Sequence, residues 1–368
     1  MLTSDGRPDT AAAVLTVDLR AIVENWRLLN GMGVSRETAA VVKADAYGLG
    51  ARNVAAALAA AGCRIFFVAT AEEAFALRET VSAASVMVLG GLFAGAEDDY
   101  AAHGLVPVLG SLGEIDAWTG LARRLGRVLP AVVHVDTGMS RLGLDARECA
   151  ALAQDHARLD GLDLRYVLSH LVSAEVADDP LTAVQRARFL DLRARLPVAP
   201  ASLANSAGMF LGTGFGFDLA RPGSALYGLN PVPGRPNPMR PAVTLRGRVL
   251  ALRDIPAGAT VGYGATWTAA RDSRIATVGV GYADGWMRGH SNAGAAFFDG
   301  HPVPLVGRVS MDLTTFDATD RPDIQPGSWL ELLGPHRDAD AAARDAGTIG
   351  YEILTSLGRR YRRVYTSA

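Results

Sequence analysis

Lysine is almost missing from this chain: of its 36 basic Lys and Arg side chains only Lys43 is lysine, and the other 35 are arginine. Arginine stays protonated and can neither form a Schiff base nor act as an ordinary base, whereas lysine does both. A lysine kept where arginine supplies every other fixed positive charge is a candidate for chemistry that arginine cannot perform. Cysteine is as scarce. Cys63 and Cys149 are the only two, too few for a disulfide framework, and nothing beside them has metal-ligand spacing, so no metal is expected. With 49% hydrophobic and 20% charged residues the composition excludes disorder as the dominant state. A formal net charge of −2 lacks the basic excess of a nucleic-acid binder. No run of about 18 apolar residues is present to span a membrane. The opening twenty residues lack the basic start and apolar core of a signal peptide. These absences point to a soluble cytoplasmic protein with neither nucleic acid nor membrane as partner.

The 368 residues suggest two domains, at about 150 residues each. Val-, Ile- and Phe-rich runs at 38–45, 64–70, 84–90, 105–109, 129–136, 163–170 and 200–206 read as parallel strands buried on both faces. Helical stretches at 18–29, 51–61, 71–79, 112–125 and 181–196 alternate with them. Seven or eight such units in about 220 residues favour a closed (β/α)8 TIM-like barrel. A doubly wound sheet is the second choice, but no G-x-G-x-x-G follows the first strands. Residues 230–241 hold five of the 18 prolines and read as a domain connection. Beyond them, short runs at 243–255, 274–280, 303–309, 314–317 and 329–332 between Gly/Pro turns describe a C-terminal all-β domain. The expected division is therefore a barrel over residues 1–235 and a β domain over 236–368, with the first thirteen or so residues free to join the latter.

In a (β/α)8 enzyme the chemistry sits where strands end and βα loops begin. Lys43 ends the first run, with Tyr47 just after it. Arg141 follows the run ending at Asp136, His170 closes YVLSHL, Asn205 and Ser206 close the next run, and Arg221 follows in DLARPGSALYG. Single strand-end polar residues often only cap helices, but five successive ones converge on one mouth. The small-residue pieces NSAG and RPGSALYG suit late βα loops, where backbone N–H groups and the Ser206 and Ser224 hydroxyls meet a phosphate. A unique strand-end lysine beside a phosphate pocket suggests pyridoxal phosphate, with the lysine as its Schiff-base partner. In the β domain VGYGAT places Tyr263 in a Gly-flanked turn, VGVGYADG places Tyr282 and Asp284 at a strand exit, and GRVSMD places Met311 and Asp312 past an apolar run. Taken singly, each reads equally as turn packing.

Together VVKADAYGLG, HVDTGMSRLG, NSAG, RPGSALYG, VGYGATW, VGVGYADG, GRVSMD and GTIGYE resemble alanine racemase, a fold-type III pyridoxal phosphate enzyme, in family order over essentially the whole chain. The resemblance implies an isomerase that interconverts L- and D-alanine, supplying D-alanine for peptidoglycan or catabolising alanine, as a head-to-tail homodimer with shared active sites. It implies pyridoxal 5'-phosphate on Lys43, with Tyr47, Ser206, Gly223, Ser224 and Tyr351 at the phosphate and Asn205 among the cofactor residues. His170 would pack by the pyridine ring and Arg221 would contact its nitrogen. Arg141, the Met311 backbone and Asp312 would bind substrate, with Tyr282 helping to gate entry. Lys43 and Tyr263, the latter from the other subunit, would be the two bases. Racemisation needs a proton removed from one face of Cα and one returned to the other, so two opposed bases suffice.

Two positions depart from the pattern. His134 stands where many relatives have a lysine that can be carbamylated to orient the Arg141 equivalent, and Leu171 stands where many have an aromatic residue. Other readings have specific requirements. A decarboxylase of the same architecture needs an acidic partner for the pyridine nitrogen and a late cysteine, yet Arg221 is present and no cysteine follows Cys149. A broad-specificity racemase shares these motifs but is typically exported. A non-catalytic cofactor carrier has no β domain, and a cofactor-free Schiff-base aldolase explains Lys43 without the phosphate loops.

Overall fold

The computed structural model describes residues 10–176 and 178–367. It divides into two compact units, Ile22–Arg240, and the chain up to Ala21 together with Pro241 onward. Of the first thirteen residues conditionally assigned to the β domain, 1–9 lie outside the described residues, as does the start of the segment read for a signal peptide.

In the first unit, Ala40–Val41, Ile65–Val68, Ser85–Val88, Leu105–Leu109, Leu129–His134, Leu162–Leu168 and Ala201–Ser202 pair in parallel and in chain order. An eighth position is taken by Leu219–Ala220, which pairs in parallel with Glu37–Thr38, just before Ala40. Main-chain bonds close the ring on both sides of it. Asp218 N donates to Ala201 O at 3.0 Å and Arg221 N to Ala204 O at 2.9 Å, while Ala39 N donates to Ala220 O at 2.9 Å. This is the (β/α)8 barrel. The strands are apolar without alternation because both faces are covered: every residue of Ile65–Val68 and Leu105–Leu109 is buried.

Helices Ala51–Ala60, Ala71–Arg78, Glu97–Ala102, Leu112–Leu125, Ala146–Gln154 and Pro180–Ala194 follow the first six strands. Several begin on side-chain caps. Thr70 with Glu73 and Asp145 with Glu148 form reciprocal capping boxes, and Ser111 and Asp179 each accept an amide of the first turn. After each of the last two strands the first element is only a 3-10 turn, Ala207–Leu211 (with the four-residue helix Thr213–Gly216 behind it) and Ser224–Tyr227. Those are the two small-residue segments.

The run expected as a strand over 38–45 stops at Val41. Ala44, Asp45, Ala46 and Tyr47 all take left-handed backbone, with φ between 52° and 54°. Such backbone costs an L-residue about 1–2 kcal/mol. Local bonds hold it: Ala46 N donates to Val42 O at 2.9 Å and Gly48 N to Ala44 O at 2.7 Å. Glu73 Oε1 accepts from Ala44 N at 2.5 Å and Asp45 Oδ1 from Ala51 N at 2.7 Å.

In the second unit the 13-residue strand Val243–Ile255 is the spine. Its first half pairs antiparallel with Ala13–Asp18 on one side and Trp329–Leu333 on the other, and its second half pairs with Ser273–Val278, which pairs in turn with Thr314–Asp317. Arg362–Thr366 adds in parallel to Ala13–Asp18, and the hairpin Ala295–Phe298/His301–Pro304 extends the Trp329–Leu333 edge. The expectation of an all-β domain needs correction. Helices Ala339–Ala346 and Gly350–Ser356 belong to this unit, which makes it mostly β. The first of them starts on the Asp338 side chain, a one-residue cap easily lost beside the strong turn signals of this region. Among the described residues no helix is long and apolar enough to cross a membrane.

Where strand Val243–Ile255 changes partners, Gly247 has no room for a side chain. A Cβ there would meet Leu332 Cδ1 and Val280 Cγ2, each at 3.0 Å, and press harder still on Val278. Gly120, in the middle of helix Leu112–Leu125, has nothing within 4 Å. The same substitution is therefore expected to act with opposite sign. Gly247→Ala lowers stability by about 1–3 kcal/mol through overpacking, and Gly120→Ala raises it by about 0.5–1 kcal/mol through helix propensity. Thermal unfolding midpoints of the two variants check this, and shifts in the same direction would contradict it.

Candidate active site

Every sequence-selected residue of the barrel lies at the C-terminal end of a strand or in the loop just after one. Lys43 is half-buried past the first strand. Its ammonium is lowered in pKa by burial first and by the charge of Arg141 second, with Glu73 acting in the opposite sense. Tyr47, at the end of the left-handed turn, is buried with its ring 4.7 Å from that of Tyr227, and the Tyr227 hydroxyl donates to Val41 O at 2.9 Å. The turn thus delivers Lys43 and Tyr47 together, anchored from below by a second tyrosine.

Arg141 leaves the fifth strand on a loop folded around Asp136. The Asp136 carboxylate accepts from the amides of Gly138, Met139 and Ser140 at 2.9, 2.8 and 3.0 Å. Burial works against its charge, but those three donors and His134 hold its carboxyl below the usual range. Leu144 N then returns to His134 O at 2.8 Å and closes the loop. Gly143 is obligatory here, with φ +105° and the position of its missing Cβ only 3.0 Å from His134 Cδ2.

Arg221, after the eighth strand, is 5% exposed. One guanidinium nitrogen donates to Ser169 O at 2.6 Å and another to the Ser202 hydroxyl, and no carboxylate pairs with it among the described residues. Burial pushes its pKa down to about 10, which leaves it charged at neutral pH. Its charge has consequences nearby. Burial, then Arg221, Arg141 and Lys43, push His170 down to about 3, and burial, then Arg221 and, more weakly, Arg141 push His134 down to about 4, against the pull of Asp136. Both imidazoles are neutral at pH 7. The mouth therefore concentrates three cationic groups, Lys43, Arg141 and Arg221, beside uncharged histidines, which is a field suited to an anion.

The two late loops form a tight cradle. The Ser206 hydroxyl accepts from Gly223 N at 2.9 Å and from Ala225 N at 3.3 Å, tying one loop to the other. A Cβ on Gly223 would collide with the Tyr47 hydroxyl, so only glycine lets the first and eighth loops meet. Ser224 is buried beside it. Asn205 is used differently: its Oδ1 accepts from Gly208 N at 2.9 Å and its Nδ2 donates to Leu171 O at 3.4 Å, so both ends of its amide hold loops in place.

The β unit assembles a second group of its own. The Tyr282 turn docks on GRVSMD, with Tyr282 N donating to Ser310 O at 3.0 Å and Ala283 N to Met311 O at 2.9 Å. Tyr263 sits between two left-handed glycines, Gly262 and Gly264, which lie against Arg308 of the same segment. Tyr263 is 71% exposed and Met311 54%. The helix bearing Tyr351 ends near the Tyr282 turn, where Gly358 N donates to Asp284 O at 2.8 Å. Asp312 is engaged within this framework: Arg360 bridges it at 2.7 Å and Asp284 at 3.0 Å.

Sequence reading passed over Glu73, Tyr227, Gln185 and Arg360. Glu73 was findable as the third residue after Thr70, a capping-box spacing that also places its carboxylate on Ala69 N and Ala44 N. Tyr227 lies inside RPGSALYG. Gln185 and Arg360 carry no local signal.

Comparison with known proteins agrees with this geometry. The model of the alanine racemase N-terminal domain matches residues 17–231 and that of the alanine racemase C-terminal domain residues 242–365. Over 353 residues the chain is 56% identical to alanine racemase of Acidiphilium cryptum, covering 96% of this chain and 98% of that one. It is 49% identical to a catabolic alanine racemase of Mesorhizobium japonicum, covering 96% and 93%. Its fold matches the crystal structure of alanine racemase from Bartonella henselae with covalently bound pyridoxal phosphate at a TM-score of 0.94 and 44% identity, over 97% of this chain and 100% of that one. The chain belongs to the alanine racemase family and is an isomerase that interconverts the enantiomers of alanine.

Proposed function

We propose that this enzyme racemises alanine by a two-base mechanism on pyridoxal phosphate, with Lys43 on one face of Cα and Tyr263 of a second copy of the chain on the other. The observation that carries it is the pair of arginines, Arg141 and Arg221, gathered with one strand-end lysine, Lys43, at the barrel mouth. Arg221 is a buried guanidinium without a carboxylate, the residue type that donates a hydrogen bond to a ring nitrogen while keeping its own proton. The Gly223–Ser224 loop, bonded to Ser206 and lying under the Tyr47 hydroxyl, is a small-residue cradle of the size and polarity a phosphate takes. These residues fit pyridoxal phosphate: Lys43 would hold it covalently, Tyr47, Ser206, Gly223, Ser224 and Tyr351 its phosphate, Arg221 its nitrogen, with His170 neutral beside the ring.

Bound pyridoxal phosphate supplies an electron-withdrawing ring that acidifies the Cα–H of an amino acid joined to it. The chain's own residues do the rest. Arg141 and the Met311 main chain take the substrate carboxylate, which fixes Cα between the two bases. Burial and the Arg141 charge lower the Lys43 ammonium pKa, which raises its share of neutral amine and lets Nζ accept the proton from Cα. Tyr263 returns a proton on the opposite side. In the reverse direction the roles exchange. An arginine rather than a carboxylate at the ring nitrogen weakens the electron sink, which suits an enzyme that must only move a proton.

The second copy is proposed because the β unit leaves Tyr263, Tyr282, Met311 and Ile349 exposed, the first three being residues assigned to the reaction. Cytoplasmic placement is supported by two buried, free cysteines whose thiols burial pushes up to about 12 and about 11. Because enantiomers have equal free energy, the site itself favours neither D-alanine supply nor its removal.

The test is Cα exchange in D2O. Pyridoxal phosphate-loaded protein given L- or D-alanine should yield the opposite enantiomer with deuterium at Cα, and cofactor binding without exchange would refute alanine as substrate. Tyr263→Phe should reduce proton exchange from one enantiomer by about 10²–10⁴-fold more than from the other. Equal small losses would remove Tyr263 as a base. Lys43→Ala should lose the visible absorbance of covalently held cofactor. Mixing it with Tyr263→Phe chains should restore part of the activity through heterodimers, and no recovery in demonstrated heterodimers would place both bases in one chain.

A further inference from the structure

With no lysine at position 134, the loop carrying Arg141 is held by another device. Asp136 shapes the loop internally, but its attachment to the barrel runs through helix Pro180–Ala194. Gln185 on that helix is fully buried. Its Nε2 donates to His170 O at 2.9 Å and to the Thr137 hydroxyl at 3.2 Å, and its Oε1 accepts from Val172 N at 2.9 Å. One amide thus grips the loop after the fifth strand and the turn after the sixth. The Thr137 hydroxyl lies 2.7 Å from that of Ser169, both buried, and the Ser169 carbonyl is the one that accepts from Arg221. One helical turn on from Gln185, Arg188 donates to Thr137 O at 3.2 Å. The loop crosses this helix at Gly138, where a Cβ would sit 3.1 Å from the Arg188 guanidinium and 3.9 Å from Gln185 Cγ.

We propose that Gln185 is a positioning residue of the active site: it locks the Arg141 loop to the His170 turn, so that the substrate-carboxylate anchor and the imidazole face the cofactor in fixed register. This rests on the role given to Arg141 above. Both ends of the Gln185 amide are satisfied by groups of the two loops, and a buried amide in that state fixes relative position more sharply than packing alone. Beside the direct Thr137–Ser169 hydroxyl contact, no other side chain of a third element bonds to both loops among the described residues. A hydrocarbon of similar size leaves Thr137 Oγ1, His170 O and Val172 N without this partner and lets the loops slip past one another. The pocket remains, but its two walls lose register.

The experiment compares the unsubstituted holoenzyme with Gln185→Leu and Thr137→Val. Two quantities are read: the KM and kcat for L-alanine, and the affinity for propionate by calorimetry, since propionate carries the carboxylate without the amino group. Gln185→Leu should raise KM and weaken propionate binding by the same factor, on the order of tenfold, with kcat changed less than threefold and the cofactor absorbance retained. Thr137→Val should move both quantities in the same direction by less, and the double variant should fall short of the product of the two, because the single changes remove one shared bond. If Gln185→Leu does not fold, Thr137→Val decides the matter by the same two readings. A lowered melting temperature with KM and propionate affinity unchanged would overturn the proposal and leave Gln185 a packing residue. A fall in kcat alone would overturn it as well. Unsubstituted holoenzyme that neither racemises alanine nor binds propionate would overturn the active-site reading itself, and this inference with it.

Discussion

The buried guanidinium of Arg221 is the constraint around which the barrel mouth is arranged. A charge removed from water without a counter-charge is costly unless polar groups and a ligand compensate it. The chain gives it the Ser169 carbonyl and the Ser202 hydroxyl and, among the described residues, no acid. Burial first, and the field of Arg221 second, keep two neighbouring imidazoles neutral, so His134 and His170 remain acceptors beside a cationic centre. Burial and Arg141 disfavour the charged form of Lys43. A carboxylate beside Arg221 would neutralise the guanidinium and remove its share of the field acting on the histidines.

Much of the site could be read from the order of residue types because each sits where a strand ends. Lys43 stood out by being alone of its kind, and NSAG and RPGSALYG by their small residues, which correspond to the two places where a βα helix shrinks to a 3-10 turn. The barrel strands were visible as uninterrupted apolar runs. What escaped was whatever depends on pairing across the fold. Nothing local marks Gln185 as the tie between two loops, since its partners are 13 to 48 residues away. Asn205 and Asp312 are polar residues in the right motifs, but only coordinates reveal that the Asn205 amide holds main chain and that Arg360 bonds the Asp312 carboxylate. The two late helices were hidden for a different reason: at eight and seven residues, behind a run of strands, they look like connecting turns.

The left-handed turn after Lys43 belongs to the same class. Of its four residues only Asp45 is of a type that tolerates positive φ readily. The strain is held by contacts on every side, from Glu73 at its start to the Tyr227 ring at its end. A backbone kept in such a conformation has few alternatives, so the lysine and the tyrosine it carries leave the strand at fixed angles. Local strain here is the means by which the turn carrying both side chains keeps one shape.

The order of strands in the β unit bears on how the chain is made. Ala13–Asp18 is synthesised long before its partners, Val243–Ile255 and Arg362–Thr366. At roughly 5–20 residues per second a ribosome needs about 10–50 s to deliver the first of those partners. Throughout that interval an apolar strand with two unsatisfied edges waits in the cell while the barrel, encoded in between, completes itself. That strand is thus the part of the β unit open to misassociation longest, and its sheet closes only after the whole barrel has been made.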